Sequence, residues 1–238
     1  MTDFSELWPG GPRFAQAGTM RLSTDSVLLA DFASLRGAEK GIDLGCASGA
    51  IALLLLAREP RLHMTGLELD AEAAELAREN MRVNALTERS RILTGDIRAL
   101  RTLLPAGSFD FVIANPPYYP PGSGRLSPDP ARARARGETD CSLEELCRAA
   151  AWLLPTGGRL FLVHKPERLS ELLCTMTAQG LEPKRLRAVC QRPGSAPSLI
   201  LAEGRRGGKP GMRLEAPLIL TGADGGESEE FRRIYHRT

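Results

Sequence analysis

GIDLGCASGAIALLLLARE (41–59) is the stretch on which the fold turns. GIDLGC (41–46) is a short apolar run of strand length, the small residues Ala47, Ser48 and Gly49 break it, and GAIALLLLARE (49–59) is long enough to read as a helix. A strand that passes through a glycine-containing turn directly into a helix begins a βα unit.

The same alternation continues outward. LHMTGLEL (62–69) reads as a strand and DAEAAELARENMRVNAL (70–86) as a helix, with Asp70 at its cap and acids in its first turn. SRILTGD (90–96) and FDFVIAN (109–115) are the third and fourth strands, SLEELCRAAAWLLP (142–155) a helix, GRLFLVHK (158–165) the fifth strand, and PERLSELLCTMTAQG (166–180) a helix with Pro first and Gly last. KRLRAVCQ (184–191) and PSLILAEGRRG (197–207) form a final strand pair. Upstream, RLSTDSVLLADFASLRG (21–37) reads as a helix entered at Ser23 or Thr24 and left at Gly37, after a Gly- and Pro-rich, irregular opening. The pattern predicts an α/β, Rossmann-like fold: a mainly parallel seven-stranded sheet, helices on both faces, and an antiparallel C-terminal strand pair. No internal repeat occurs. The chain divides into an N-terminal segment and helix (1–36), one domain (37–220) with an insertion at 120–140, and a tail (221–238).

At 238 residues the length suits one large domain. Hydrophobic residues at 42% and charged residues at 25% are those of an ordinary globular protein, and the longest apolar run, AIALLLLA (50–57), is too short to span a bilayer. The acidic first residues lack the apolar core of a signal peptide. Five cysteines without a CxxC pair and three scattered histidines suggest neither disulfides nor a metal site, so a reduced, cytoplasmic chain is expected. Net charge is +2, unevenly spread: residues 184–213 hold eight Lys/Arg against Glu203, while residues 59–80 hold six acids against two arginines. The basic region is either a face for a polyanion or a set of solubilising charges.

In such sheets ligands bind beyond the carboxyl ends of the strands, where strand order reverses. Three strand ends carry suitable residues. DLGCASG (43–49) lets backbone approach a ligand and places a helix N-terminus behind it; its spacing, GxxxG, departs from the GxGxxG of nicotinamide sites. Glu68, 19 residues after Gly49, suits the vicinal hydroxyls of a ribose, though an isolated acid can equally be a solvated charge. Asp96 suits either an adenine amino group or the cap of the segment after it.

Together these ends resemble the class I S-adenosylmethionine-dependent methyltransferases, whose first motif is DxGxGxG. Asp43, Gly45 and Gly49 match, with Cys46 between them, and Ala47 replaces the middle glycine. Ala47 adds a Cβ where the backbone calls for positive φ or close contact, which implies somewhat weaker cofactor binding. The resemblance implies ribose binding by Glu68 and a place beside adenine for Asp96.

IANPPYYP (113–120) then falls beside the transferable methyl. A nitrogen conjugated into a ring or carbonyl is planar and poorly nucleophilic. The Asn115 amide oxygen and the Pro116 carbonyl can each accept one hydrogen of an NH2 group and aim its lone pair at the methyl; Pro117 stiffens the turn, and Tyr118 offers a face for a planar base. No histidine lies close in sequence, which agrees with chemistry that needs no strong base before transfer. NPPY resembles the fourth motif of methyltransferases acting on base amino groups or on the glutamine amide of release factors. A Pro-rich strand exit with core tyrosines is the alternative reading of the residues.

RLSTDSVLLADF (21–32) and SAPSLILAEGRRGGKPGMRLEAPLIL (195–220) resemble the two ends of the bacterial tRNA1(Val) (adenine(37)-N6)-methyltransferase family, and the likeness runs from about residue 13 onward. It implies methylation of an exocyclic adenine amine in tRNA, and a first helix that closes over the cofactor with Ser23, Thr24 or Asp25 near its methionine end; helix capping is the competing role for these three. Only 42 residues precede Asp43, too few for the helical domain that release-factor enzymes carry there. The insertion 120–140 holds Arg125, Arg132, Arg134 and Arg136; it is a solvated loop that can order on RNA phosphates, and GRRGGKPG (204–211) is a turn that can make a further phosphate contact. The remaining alternatives are methylation of another NH2, such as a guanine N2 or a glutamine N5, and an RNA-binding protein of this fold without catalysis.

Overall fold

A computed structural model describes residues 3–16, 22–35, 37–116 and 141–237. Expectations placed on Pro117, Tyr118 and the arginines of 120–140 lie outside the described residues.

The strands are β1 (Phe4–Glu6), β2 (Arg13–Ala15), β3 (Lys40–Leu44), β4 (His63–Glu68), β5 (Ser90–Thr94), β6 (Phe111–Ala114), β7 (Arg159–His164), β8 (Leu181–Cys190), β9 (Pro197–Arg206), β10 (Arg213–Leu214) and β11 (Leu218–Ile219). The α-helices are α1 (Thr24–Phe32), α2 (Ala50–Arg58), α3 (Ala71–Val83), α4 (Leu100–Leu103), α5 (Leu143–Leu153), α6 (Leu169–Ala178) and α7 (Glu229–Ile234). The main sheet runs β5-β4-β3-β6-β7-β9-β8, parallel from β5 to β7 and antiparallel at β7–β9 and β8–β9. These are the seven strands and the antiparallel pair that the pattern predicts. β10 and β11 add two short parallel pairings along the outer edge of β8.

Period-two alternation distributes the apolar residues to two cores. Phe111, Ile113, Phe161, Val163, Leu199 and Leu201 face one core with α1, α2 and α7; Val112, Ala114, Leu160, Leu162, Ile200 and Ala202 face the other with α4, α5 and α6. Strand order reverses between β3 and β6, so the crevice at their carboxyl ends is the switch point.

Two local readings are corrected. The opening is not irregular throughout, because β1 and β2 form an antiparallel pair. The first helix ends at Phe32 rather than running to Gly37: the Arg58 guanidinium donates to the Ala30 and Ala33 carbonyls, Arg185 to Phe32 and Arg159 to Ser34. Three cations at a helix C-terminus satisfy its last carbonyls and its dipole, and no sequence-local signal announces them. Beyond residue 220, α7 packs Ile234 and Phe231 on the first core and pairs Arg233 with Asp31 of α1. No helix among the described residues is long and apolar enough to cross a membrane.

Candidate active site

Asp43, next to last in its strand, pairs with Ile113 of β6 in the last registered pair of the two strands, so Gly45 and Asn115 both follow just beyond their carboxyl ends. The Asp43 side chain is 1% exposed, and its Oδ1 makes no hydrogen bond among the described residues. Burial, and secondarily the charge of Glu68, pushes its pKa up to about 8. An orphaned carboxylate oxygen at the base of an open crevice is suited to a cationic ligand group.

The turn after β3 is left-handed at alternate residues: φ is 76° at Gly45, 46° at Ala47 and 81° at Gly49. A Cβ built at Gly45 would meet nothing within 4 Å, so this residue faces open space. At Gly49 it would come within 3.0 Å of Met81 Cε and 3.2 Å of Ala77 Cβ, and glycine there lets α2 start hard against α3. Ala47 therefore occupies positive φ with a Cβ, a conformation that costs about 1–2 kcal/mol. Cys46 is buried, with its N–H on the Leu67 carbonyl, and burial raises its thiol pKa well above the ordinary range.

The Glu68 carboxylate spans two turns, Oε2 accepting the Ala47 N–H at 2.8 Å and Oε1 the Asp70 N–H at 2.9 Å. A carboxylate has about four acceptor positions, so two amides leave capacity for two hydroxyls. Asp96 takes the capping role: Oδ1 accepts the Arg98 N–H at 2.8 Å, and the same carboxylate pairs with the Arg98 guanidinium, which holds its pKa below the ordinary value. Between these acids Leu69 is 41% exposed, an apolar face at the crevice rim. The sequence pattern counts Leu69 as the last residue of a strand, which ends at Glu68; its place after an acid at a strand tip is the signal that separates it.

Asn115 stands at the tip of β6. Its Nδ2 donates to Ser26 Oγ at 3.1 Å and Ser23 Oγ at 3.4 Å, and the two hydroxyls lie 3.0 Å apart. Ser23 also caps α1 by accepting the Ser26 N–H. Capping and contact with the site thus coincide in Ser23, while Thr24 is exposed and lies beside Tyr235, and Asp25 lies in the first helical turn near the same tyrosine. Ser26, which sequence reasoning missed, is the closer partner of Asn115.

The absence of a nearby histidine does not survive folding. β6 pairs with β7 as far as Ala114 and Leu162, and His164 ends β7 two residues further, at the same end of the sheet as Asn115. His164 is buried, its Nδ1 accepts the Lys165 N–H, and burial together with Arg168 lowers its pKa, so it is neutral near pH 7. No group of three His, Cys, Asp or Glu suited to a metal occurs among the described residues.

The basic stretch 184–213 is divided between the two roles. Arg185 pairs with Glu203 and Glu215 and lies 3.8 Å above the Phe32 ring, Arg187 grips Glu230, and Arg206 donates to the Gln179 carbonyl. Arg192, Arg205, Lys209 and Arg213 are exposed.

A family model described as the methyltransferase small domain matches residues 19–176. The tRNA1(Val) (adenine(37)-N6)-methyltransferase of Tolumonas auensis is 34% identical over 213 residues, 89% of this chain and 86% of that protein. The protein of that name from Porphyromonas gingivalis is 34% identical over 223 residues, 90% and 87% of the two chains. Among solved structures, a predicted O-methyltransferase from Agrobacterium tumefaciens superposes with a TM-score of 0.72 at 23% identity, covering 90% of this chain and 97% of its own. TrmN from Thermus thermophilus superposes at 0.52 and 23% identity over 76% of this chain and 47% of its own. These structures share the fold. Family model, identity and shared length agree that this chain belongs to the tRNA1(Val) (adenine(37)-N6)-methyltransferase family.

Proposed function

We propose that this protein methylates the exocyclic N6 amine of an adenine in tRNA, in the anticodon loop, with S-adenosylmethionine as donor, in the cytoplasm. The observation that carries the reading is the Asn115 amide, fixed at the switch point with its NH2 edge on two serine hydroxyls. Because an amide is planar, this turns its oxygen to the opposite edge, the polarity needed to accept a hydrogen from an amine.

The residues fit the cofactor. Asp43 brings an orphaned buried oxygen suited to an ammonium group, Gly45 an open approach, and Glu68 spare acceptor capacity for a ribose. Leu69 offers an apolar face to the adenine ring, Asp96 lies at the position for its amino group, and Cys46, Gly49, Thr24 and Asp25 complete the surroundings. Bound there, the cofactor supplies an electrophilic methyl on a sulfonium. Asn115 Oδ1 and the Pro116 carbonyl hold the two amine hydrogens and direct the lone pair, and Pro117 and Tyr118 stiffen and stack. Orientation supplies most of the acceleration. The amine, once methylated, would be cationic and acidic enough to lose its proton to water, so the neutral, buried His164 need take no part. A loop base is cheaper to extrude than a paired one by roughly a few kcal/mol. Backbone phosphates are met by Arg125, Arg132, Arg134 and Arg136, with Arg192, Arg205, Lys209 and Arg213 as the exposed cations of the basic stretch.

The test is incubation of the purified protein with methyl-labelled cofactor and tRNA. Label recovered as N6-methyladenosine, and lost in Asn115→Ala while S-adenosylhomocysteine still binds, supports the reading. Label confined to a release factor, or to guanine, rejects it.

A further inference from the structure

The side chain of Asn80 is fully buried in the last turn of α3 and makes three bonds to backbone. Its Oδ1 accepts the Ala15 N–H at 2.8 Å, and its Nδ2 donates to the Ala15 carbonyl at 3.2 Å and to the Ser48 carbonyl at 2.9 Å. One turn on, Asn84 makes the same reciprocal pair with Arg13, accepting its N–H at 2.8 Å and donating to its carbonyl at 2.6 Å. Two amides four residues apart on a helix thus copy the edge of a strand for alternate residues of β2. Asn84 serves β2; Asn80 also holds Ser48, inside the turn that carries Gly45, Ala47 and Gly49.

From Ala15 the contacts lead back to the reacting site. The next residue, Gln16, accepts the Leu22 N–H on its Oε1 at 3.0 Å, and Leu22 precedes Ser23, whose hydroxyl touches Asn115. Bonds and hydrogen bonds therefore join the turn after β3 to the amide at the tip of β6 by way of β2.

We propose that Asn80 is a positioning residue for methyl transfer: it couples the seating of the cofactor in the 45–49 turn to β2 and, through Gln16 and Leu22, to the hydroxyls that orient Asn115. The inference rests on the cofactor role of that turn given above. Asn84, partly exposed and donating also to the Asn80 carbonyl at 2.7 Å, anchors β2 without a bond to the 45–49 turn, and this separates the two roles.

The experiment combines calorimetry and hydrogen exchange with S-adenosylhomocysteine on the full chain. In the wild type, ligand slows exchange at the Ala15 and Leu22 amides as well as at Ala47. Asn80→Ala weakens binding about tenfold, the effect of one lost buried hydrogen bond, and abolishes the slowing at Ala15 and Leu22. It lowers kcat for tRNA beyond any change in the KM for tRNA. Asn84→Ala raises the basal exchange of β2 but keeps wild-type affinity and ligand-induced slowing. Equal behaviour of the two variants overturns the proposal, as does a wild type that binds ligand with no change at Ala15 and Leu22; the latter needs no variant to fold. A wild type that binds no S-adenosylhomocysteine rejects the cofactor reading instead.

Discussion

Ser26 Oγ lies 3.1 Å from Asn115 Nδ2, so a helix that precedes the sheet in sequence decides which edge of the catalytic amide faces the crevice. Without the two hydroxyls, the amide can flip and present hydrogen where an acceptor is required. The double variant Ser23→Ala, Ser26→Ala should lose about tenfold in kcat with S-adenosylhomocysteine affinity little changed, while Asn115→Ala should lose about a hundredfold or more. Steady-state kinetics with calorimetry decide it; a loss in cofactor affinity with kcat intact would contradict the orienting role.

Ala47→Gly should stabilise the protein. Ala47 sits at φ 46°, and glycine removes the steric cost at the expense of a more flexible unfolded chain, leaving a net gain of about 1 kcal/mol. In a chain of this size that is a rise of about 2–4 °C in Tm. Cofactor affinity should rise with it, because the turn no longer opposes its own bound shape. A lower Tm would mean that the Ala47 methyl makes contacts worth more than the strain.

The apo protein should lose stability as pH rises through the range set by Asp43. Its folded pKa, about 8, lies above the ordinary 3.8, so the folded state binds the proton more tightly than the unfolded chain. The penalty is absent below 3.8, grows by at most about 1.4 kcal/mol per pH unit, and levels off above about 8. Asp43→Asn removes the titration, so its stability relative to wild type should increase from pH 5 toward pH 8, in that order of magnitude. Urea melts at several pH values measure this, and a pH-independent difference would show that Asp43 titrates normally.

Arg185→Ala should act on folding rather than on RNA. With side-chain exposure of 15% for both Arg185 and Glu203, removing the cation strands Glu203 and the Phe32 carbonyl, at a cost of about 3 kcal/mol. The salt dependence of tRNA binding should stay as in wild type, whereas Arg192→Ala with Lys209→Ala should flatten it by about one to two counterions without shifting Tm. A flattened slope for Arg185→Ala at unchanged stability would return that residue to the RNA face.

The strands and helices from residue 40 to 206 are legible because each carries its own period and its own punctuation, from Asp70 and Ser142 at helix starts to Gly180 at a helix end. The cofactor half of the site is legible for the same reason: Asp43, Gly45, Gly49 and Glu68 belong to consecutive βα units. What escapes is decided by partners remote in sequence. β2 has three residues and no periodic signal, and it is held by Asn80 and Asn84 some seventy positions later. The end of α1 is decided by Arg58, Arg159 and Arg185, and the last of these is thereby withdrawn from the basic region's surface. His164 and Ser26 join the site through strand pairing and helix packing, neither of which is written in the residues beside them.

The arginine cluster under α1 also gives that helix a mechanical role. Its C-terminal end is bolted to three separate parts of the domain, and Val27, Leu28 and Leu29 seat the turns between that end and the hydroxyls on Asn115. The helix therefore works as a strut, carrying the placement of the catalytic amide back to guanidiniums at its far end.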